Sequence, residues 1–478
     1  MSRVQLGTGP LGSRRMRWTP VALAASVGIA LGMAGCDAGE QSSANEHLRV
    51  TSLAPAALAG FEQTADPSLA LDPTNGDLVM AWGGSRHEGE WNLYVARSGD
   101  AGATFSEPVR VNHEPGQLHP HAEGAPRLVA TGGVLATFWN NRMEVEGRRF
   151  GASDLLFARS TDGGETWSQA IALQDDLAWA SLPPRANTFH GAGWDGGSTL
   201  VVAWLDGRER DARRVERAVE SGLTAEEAAR TPEIFADEGD PHDGDATVFA
   251  AVSHDLGETW EAQNRRIEGR ACPCCRISLV RTSDGGMLGG WREHFPGSLR
   301  DPILQDVLGP NGASPNGDSD RPRVIHPDEW EFPGCPHSGP GLDMDGNGVL
   351  HTAWYTGAPD RIGVYYAWSD DQGHTFSEPF PVVTGDAVGV AHPSVVALPT
   401  GGAVVAQNVA EDGRRVIVVT RLSDAGTVLG SLEVEGSDGG THPQLLRLDA
   451  NRVVLAWTQS RDGREEMGLA RIDLESLQ

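Results

Sequence analysis

The side chains most able to do chemistry gather in two short segments. Arg270-Ala271-Cys272-Pro273-Cys274-Cys275-Arg276 and Gly334-Cys335-Pro336-His337-Ser338 hold four of the 5 cysteines in the 478-residue chain, Cys36 being the other. Four thiols in an oxidising compartment are expected first as two disulfides, and adjacent Cys274 and Cys275 leave a vicinal bridge open. The same thiols with His337 also suit Cu(I) or Zn²⁺, ions that take thiolate and imidazole ligands. A nucleophilic Cys is the third expectation. His392 and His442, each directly before a proline, are the further imidazoles that could complete a metal site. Asp66 and His190 occupy comparable points. Glu293 and His294 are weaker candidates, equally at home in a solvated loop. Asp343-Met344-Asp345-Gly346-Asn347-Gly348 begins like a calcium loop but lacks a Glu at the twelfth position, so a plain Asx turn is expected.

A repeated strand pattern must position these groups. An apolar run ending in Trp recurs at Trp82, Trp139, Trp204, Trp291, Trp354 and Trp457, and a seventh copy ends in Gln407. Each run follows a short alternating segment that often opens with Pro, as at Pro67, Pro126, Pro393 and Pro443, and precedes a third strand. Period-2 alternation bounded by Gly, Asp and Asn is the strand signal, and a repeat of this length implies blades. We therefore expect an all-β protein, a β-propeller of four-stranded blades, seven favoured over six. Residues 206–245 read as an insertion in the third blade carrying two short charged helices, over 209–221 and 224–230. The last unit has only three strands, and Leu48–Leu53 is expected to supply its fourth and close the ring. In such a ring the segments leading into the innermost strands share one face, so Cys272, Cys274, Cys275, Cys335, His337, His392 and His442 are expected to converge on one funnel.

Third and fourth strands are joined by Ser-x-Asp-x-Gly-x-Thr-aromatic. It occurs at Ser98, Asp100, Gly102; at Ser160, Asp162, Gly164, Trp167; at Ser253, Asp255, Gly257, Trp260; and at Ser369, Asp371, Gly373. Ser and Asp can bond the loop's own amides, Gly can take positive φ, and the aromatic can wedge between sheets. The motif resembles the Asp-box of the bacterial neuraminidase repeat, and the chain resembles sialidase-like β-propellers over roughly 48–474. The resemblance implies fold rather than activity, because the boxes lie away from the family's active sites. True sialidase chemistry would need three Arg on the sugar carboxylate, a Tyr activated by Glu, and an Asp acid/base. The family's first Arg lies in Arg-Ile-Pro at the first inner strand, where this sequence has Ala65-Asp66-Pro67-Ser68. Only Tyr94, Tyr355, Tyr365 and Tyr366 are available as nucleophiles, and Arg127, Arg276, Arg292 and Arg300 lack the family's context, so no catalytic residue is transferred.

The first residues read as an address. Arg14, Arg15 and Arg17 precede an apolar run over 21–34 that ends in Met33-Ala34-Gly35-Cys36, similar to a bacterial lipoprotein box. The expected organisation is a lipoprotein signal peptide over 1–35, a lipidated Cys36 with a polar tether over 36–46, and a propeller over 47–475. With 66 acidic against 38 basic residues the net charge is -28, which repels nucleic acid and anionic membranes. Contact with a membrane is expected through the lipid anchor alone, in a monomer of the bacterial cell envelope, periplasm-facing or on the surface. The expected function is a binding module using its funnel face for a glycan, a metal (Cu or Zn) or an envelope protein. The alternative is a glycoside hydrolase, exo-sialidase-like or otherwise.

Overall fold

A computed structural model describes residues 48–144, 152–175, 186–235, 245–314, 321–385, 388–411 and 413–474. The signal peptide, Cys36 and the tether lie outside the described residues. The described strands form seven four-stranded antiparallel sheets. Six of them run in chain order from inner to outer strand. Their inner strands are Gln63–Leu71, Arg127–Ala130, Asn187–Trp194, Ser278–Arg281, Gly341–Met344 and Ser394–Ala397. The seventh consists of Gly440–Arg447, Arg452–Arg461 and Arg464–Leu474, with Leu48–Leu53 as its outer strand. That strand pairs from Leu48 with Leu474 to Leu53 with Leu469, so the two ends of the propeller share one sheet and the ring is closed.

The core lies between blades. Seven hydrophobic clusters each join two neighbouring sheets. Six of them contain the Trp that ends a second strand: Trp82, Trp139, Trp204, Trp291, Trp354 and Trp457 are all buried. Four box turns hold the opposite face. In the first, Ser98 Oγ accepts the Gly102 N–H at 2.8 Å and donates to Asp100 Oδ1 at 2.8 Å, while Asp100 Oδ2 accepts the Thr104 hydroxyl at 2.6 Å. The Thr104 hydroxyl and amide, with Ser98, hold the Asp100 carboxyl down at about 2. The same bonds recur around Asp162, Asp255 and Asp371. The third-blade insertion folds as Arg208–Glu220 and Ala225–Arg230, the second capped by Thr224, whose hydroxyl accepts the Glu227 N–H at 3.2 Å. Among the described residues no helix is long and apolar enough to cross a membrane.

Candidate functional site

Antiparallel pairing sets the start of each inner strand beside the end of its second strand, on the face away from the boxes. There Cys272 N donates to Arg292 O at 2.9 Å, and His119 N donates to Asn140 O at 2.9 Å. Inner strands surround a central channel of about 340 Å³, lined by Arg127, Arg276, Asp343 and Arg447 among others. Neighbouring walls are stitched together: Leu128 N donates to Ser68 Oγ at 3.0 Å, and Ser278 Oγ donates to Pro340 O at 2.6 Å. At Gly339 an added Cβ would stand 2.2 Å from Arg276 O. Only a glycine lets the fifth blade's lead segment press this closely on the fourth's, which also brings the two Cys segments together.

Cys272, Cys274 and Cys275 are buried and form a small cluster with Phe189 against it. The Cys272 sulfur lies 3.8 Å from that of Cys274 and 3.4 Å from that of Cys275. Cys335 is exposed and closes the pocket, its sulfur within 4.8 Å of those of Cys272 and Cys274. All four thiols are free, and the expected disulfides are not formed. The neighbouring sulfurs of Cys274, Cys275 and Cys335 push the Cys272 thiol well down, whereas the Cys272 sulfur pushes Cys335 up to about 12. Thiolates about 2.3 Å from one zinc sit roughly 3.5–4 Å apart. The Cys272, Cys274 and Cys335 donor set therefore fits a thiophilic ion after modest adjustment.

The histidines expected beside the thiols form a separate group. His392 and His442 stack with ring centroids 3.6 Å apart, and their Nε2 atoms lie 2.7 and 2.9 Å from one oxygen of Glu123. The ring of His337 joins neither group; its carbonyl oxygen lies 2.5 Å from His392 Nε2. Glu123 is buried, and its other oxygen accepts the Arg276 N–H at 3.3 Å. Burial alone would raise its carboxyl, but the His392 and His442 imidazoles hold it well below the usual carboxylate range. His442 is pushed down to about 3 by burial and by His392.

Other candidates are accounted for individually. Asp66 carries φ of 57°, and its carboxylate accepts the His121 N–H at 2.7 Å. Burial raises its carboxyl to about 7. His190 is locked between Asn140 Oδ1 and Phe138 O at 3.2 and 3.1 Å. Arg127 Nε donates to His190 O at 3.2 Å, and Arg276 Nη2 to Pro393 O at 3.4 Å, while Arg276 Nη1 is buried without a partner among the described residues. Arg292 donates to the carbonyls of Ser338, Arg300 and Tyr355 and so braces loops. Glu293 pairs with Arg270 at 3.1 Å and is raised to about 8 by burial. His294 Nδ1 meets Asp245 at 2.5 Å. No Tyr lines the channel among the described residues. Asp345 Oδ1 accepts Asn347 N–H and Val349 N–H, the expected Asx turn.

Glu123 was not among the residues singled out from the sequence. Asp66, His392 and His442 each stand directly before a Pro, but the corresponding residue in the second blade is Ala125. A 3₁₀ turn over Ala122–Gly124 delivers Glu123 to the same point two residues early. The legible signal was an acidic residue in a blade's lead segment.

A repeat described as BNR/Asp-box matches residues 158–169, spanning the second box. No curated protein matches the sequence. Among solved structures, a lectin from Burkholderia pseudomallei is 13% identical over 86% of this chain and 96% of its own, with a TM-score of 0.56. A polysaccharide lyase described as an ulvan lyase is 12% identical over 86% of this chain and 94% of its own, with a TM-score of 0.51. A Hadza microbial sialidase is 14% identical over 86% of this chain and 66% of its own, with a TM-score of 0.43. The likenesses to the lectin and the lyase are likenesses of fold. The chain is a seven-bladed β-propeller that carries Asp-box repeats.

Proposed function

We propose that the protein is an exported propeller, lipid-anchored at Cys36, that acts as a binding module through its funnel face. The observation that carries this reading is the gathering of charged and metal-ligating side chains at the starts of the inner strands, around the mouth of one channel. Asp66, Glu123, Arg276, His392 and His442 come from five different blades and face buried surroundings. Groups so buried are costly unless a partner satisfies them, and Arg276 Nη1 has none among the described residues. A glycan carboxylate is the ligand chemistry that would pair with it. The lectin and the lyase that share the fold are, by their descriptions, a sugar binder and a sugar-cleaving enzyme. The Cys272, Cys274 and Cys335 pocket would hold Cu(I) or Zn²⁺ as a structural or recognition element beside that ligand.

A glycan array separates acidic from neutral oligosaccharides. Retention of uronate- or sialate-bearing glycans, lost in Arg276→Ala, is the expected result; no retention above background in either protein would overturn the reading.

A further inference from the structure

We infer that Glu123 Oε1, His392 Nε2, His442 Nε2 and the His337 carbonyl oxygen form a centre for a divalent transition-metal ion of the zinc class. It is distinct from the thiolate pocket and depends on neither that pocket nor glycan binding. Hydrogen-bond polarity decides the matter. Asn408 is fixed from both ends: its Nδ2 donates to Val390 O at 3.0 Å, and its Oδ1 accepts the His392 backbone N–H at 3.1 Å. The same Oδ1 faces His392 Nδ1 at 3.3 Å, so Nδ1 carries a hydrogen. A neutral imidazole then has only a lone pair at Nε2. That lone pair faces two more acceptors, Glu123 Oε1 at 2.7 Å and His337 O at 2.5 Å. His442 Nε2 stands 2.9 Å from the same carboxylate oxygen, and its Nδ1 meets the Thr441 hydroxyl at 2.8 Å, a group able to accept Nδ1–H and leave Nε2 free to ligate.

Acceptors facing one another this way need a shared hydrogen or a cation between them: an extra proton on His392 or on Glu123, or a metal ion. Four further facts favour the metal. One carboxylate, two imidazoles and a carbonyl make a nitrogen and oxygen set of the kind borderline divalent ions take. Both imidazoles already have a partner on Nδ1, the outer-shell arrangement that orients metal-bound histidines. His337 and His442 hold φ of 52° and 51°, the left-handed backbone that Asp66 and Phe189 also hold in their blades, and here it turns the carbonyl and the ring inward. The remaining Glu123 oxygen is occupied by the Arg276 N–H, leaving Oε1 for the ion. Zinc bonds of about 2.0–2.2 Å in a tetrahedron need donors roughly 3.3–3.6 Å apart, so the set opens by roughly 0.5–1 Å on loading. With the Arg127 and Arg276 guanidinium groups acting on the same carboxylate, the loaded centre would draw an anionic ligand into the channel mouth.

The test is a zinc titration of chelator-stripped, full-length protein carrying Cys272→Ser and Cys335→Ser, which removes the thiolate pocket. One Zn²⁺ should bind, and Glu123→Gln in that background should weaken it by more than about 100-fold while circular dichroism and the melting temperature show an intact propeller. Co²⁺ in the same site should give visible d–d bands without a sulfur-to-cobalt charge-transfer band. If the serine pair prevents folding, the wild-type protein answers instead: Glu123→Gln should lose one zinc and retain the thiolate-bound one. A double-serine protein that takes up no zinc, or a Glu123→Gln protein with undiminished zinc uptake, would overturn the inference and leave an imidazolium–carboxylate cluster.

Discussion

Asp66 shows how a single position couples the channel mouth to pH. Burial raises its carboxyl to about 7, against an unfolded value of about 3.9, so the fold favours the protonated form. Its contribution to stability is therefore complete below about pH 4, is lost as pH rises toward 7, and is constant above that. Asp66→Asn removes the titrating group while keeping an oxygen for the His121 N–H. The variant should match the wild type in melting temperature near pH 4 and exceed it near pH 8. Parallel melting curves across that range would show that Asp66 does not carry the effect. Glu123 titrates in the opposite sense: its depressed carboxyl stabilises the fold above the usual carboxylate range and ceases to do so as pH falls below it.

At the scale of elements, the second strands carry the fold, and one of them is imperfect. Gln407 stands where six sister strands place Trp, is fully buried, and has neither amide atom partnered among the described residues. Replacing it by Met, of similar length and apolar, should raise stability by about 1–3 kcal/mol, the cost of an unsatisfied buried polar group, as read from urea unfolding. A loss of stability would mean that the amide is doing work at this position. The same strand and box periodicity made the blades legible from sequence, down to Leu48–Leu53 as the closing strand, because burial between sheets fixes which residues can recur. Site geometry was less legible. His337 is two residues from Cys335, yet its left-handed backbone sends its carbonyl toward His392. Glu123 escaped because a 3₁₀ turn shifts it out of the residue-before-proline register that marks Asp66, His392 and His442. Chain proximity predicts which loop a residue belongs to; the φ of one or two loop residues decides what it faces.

At the scale of the whole molecule, the ring is held shut by a strand that comes from the other end of the chain. Val50 pairs with Ile472 in that sheet, so Val50→Pro should disturb the closing ladder and lower the melting temperature by roughly 5–10 °C. An unchanged melting temperature would mean that closure contributes little. The proposed lipid anchor belongs to the same scale: if Cys36 carries it, Cys36→Ser should abolish uptake of a fatty-acid label and release the protein from membranes. The funnel face is proposed as a binding face built on thiolate and imidazole side chains. The most direct measurement is metal and thiol analysis of the protein isolated from the cell envelope. Stoichiometric zinc or copper is expected, with the thiols of Cys272, Cys274 and Cys335 unreactive until a chelator removes the ion. Metal-free protein with all its thiols freely reactive, or with its cysteines oxidised to disulfides, would contradict the proposal.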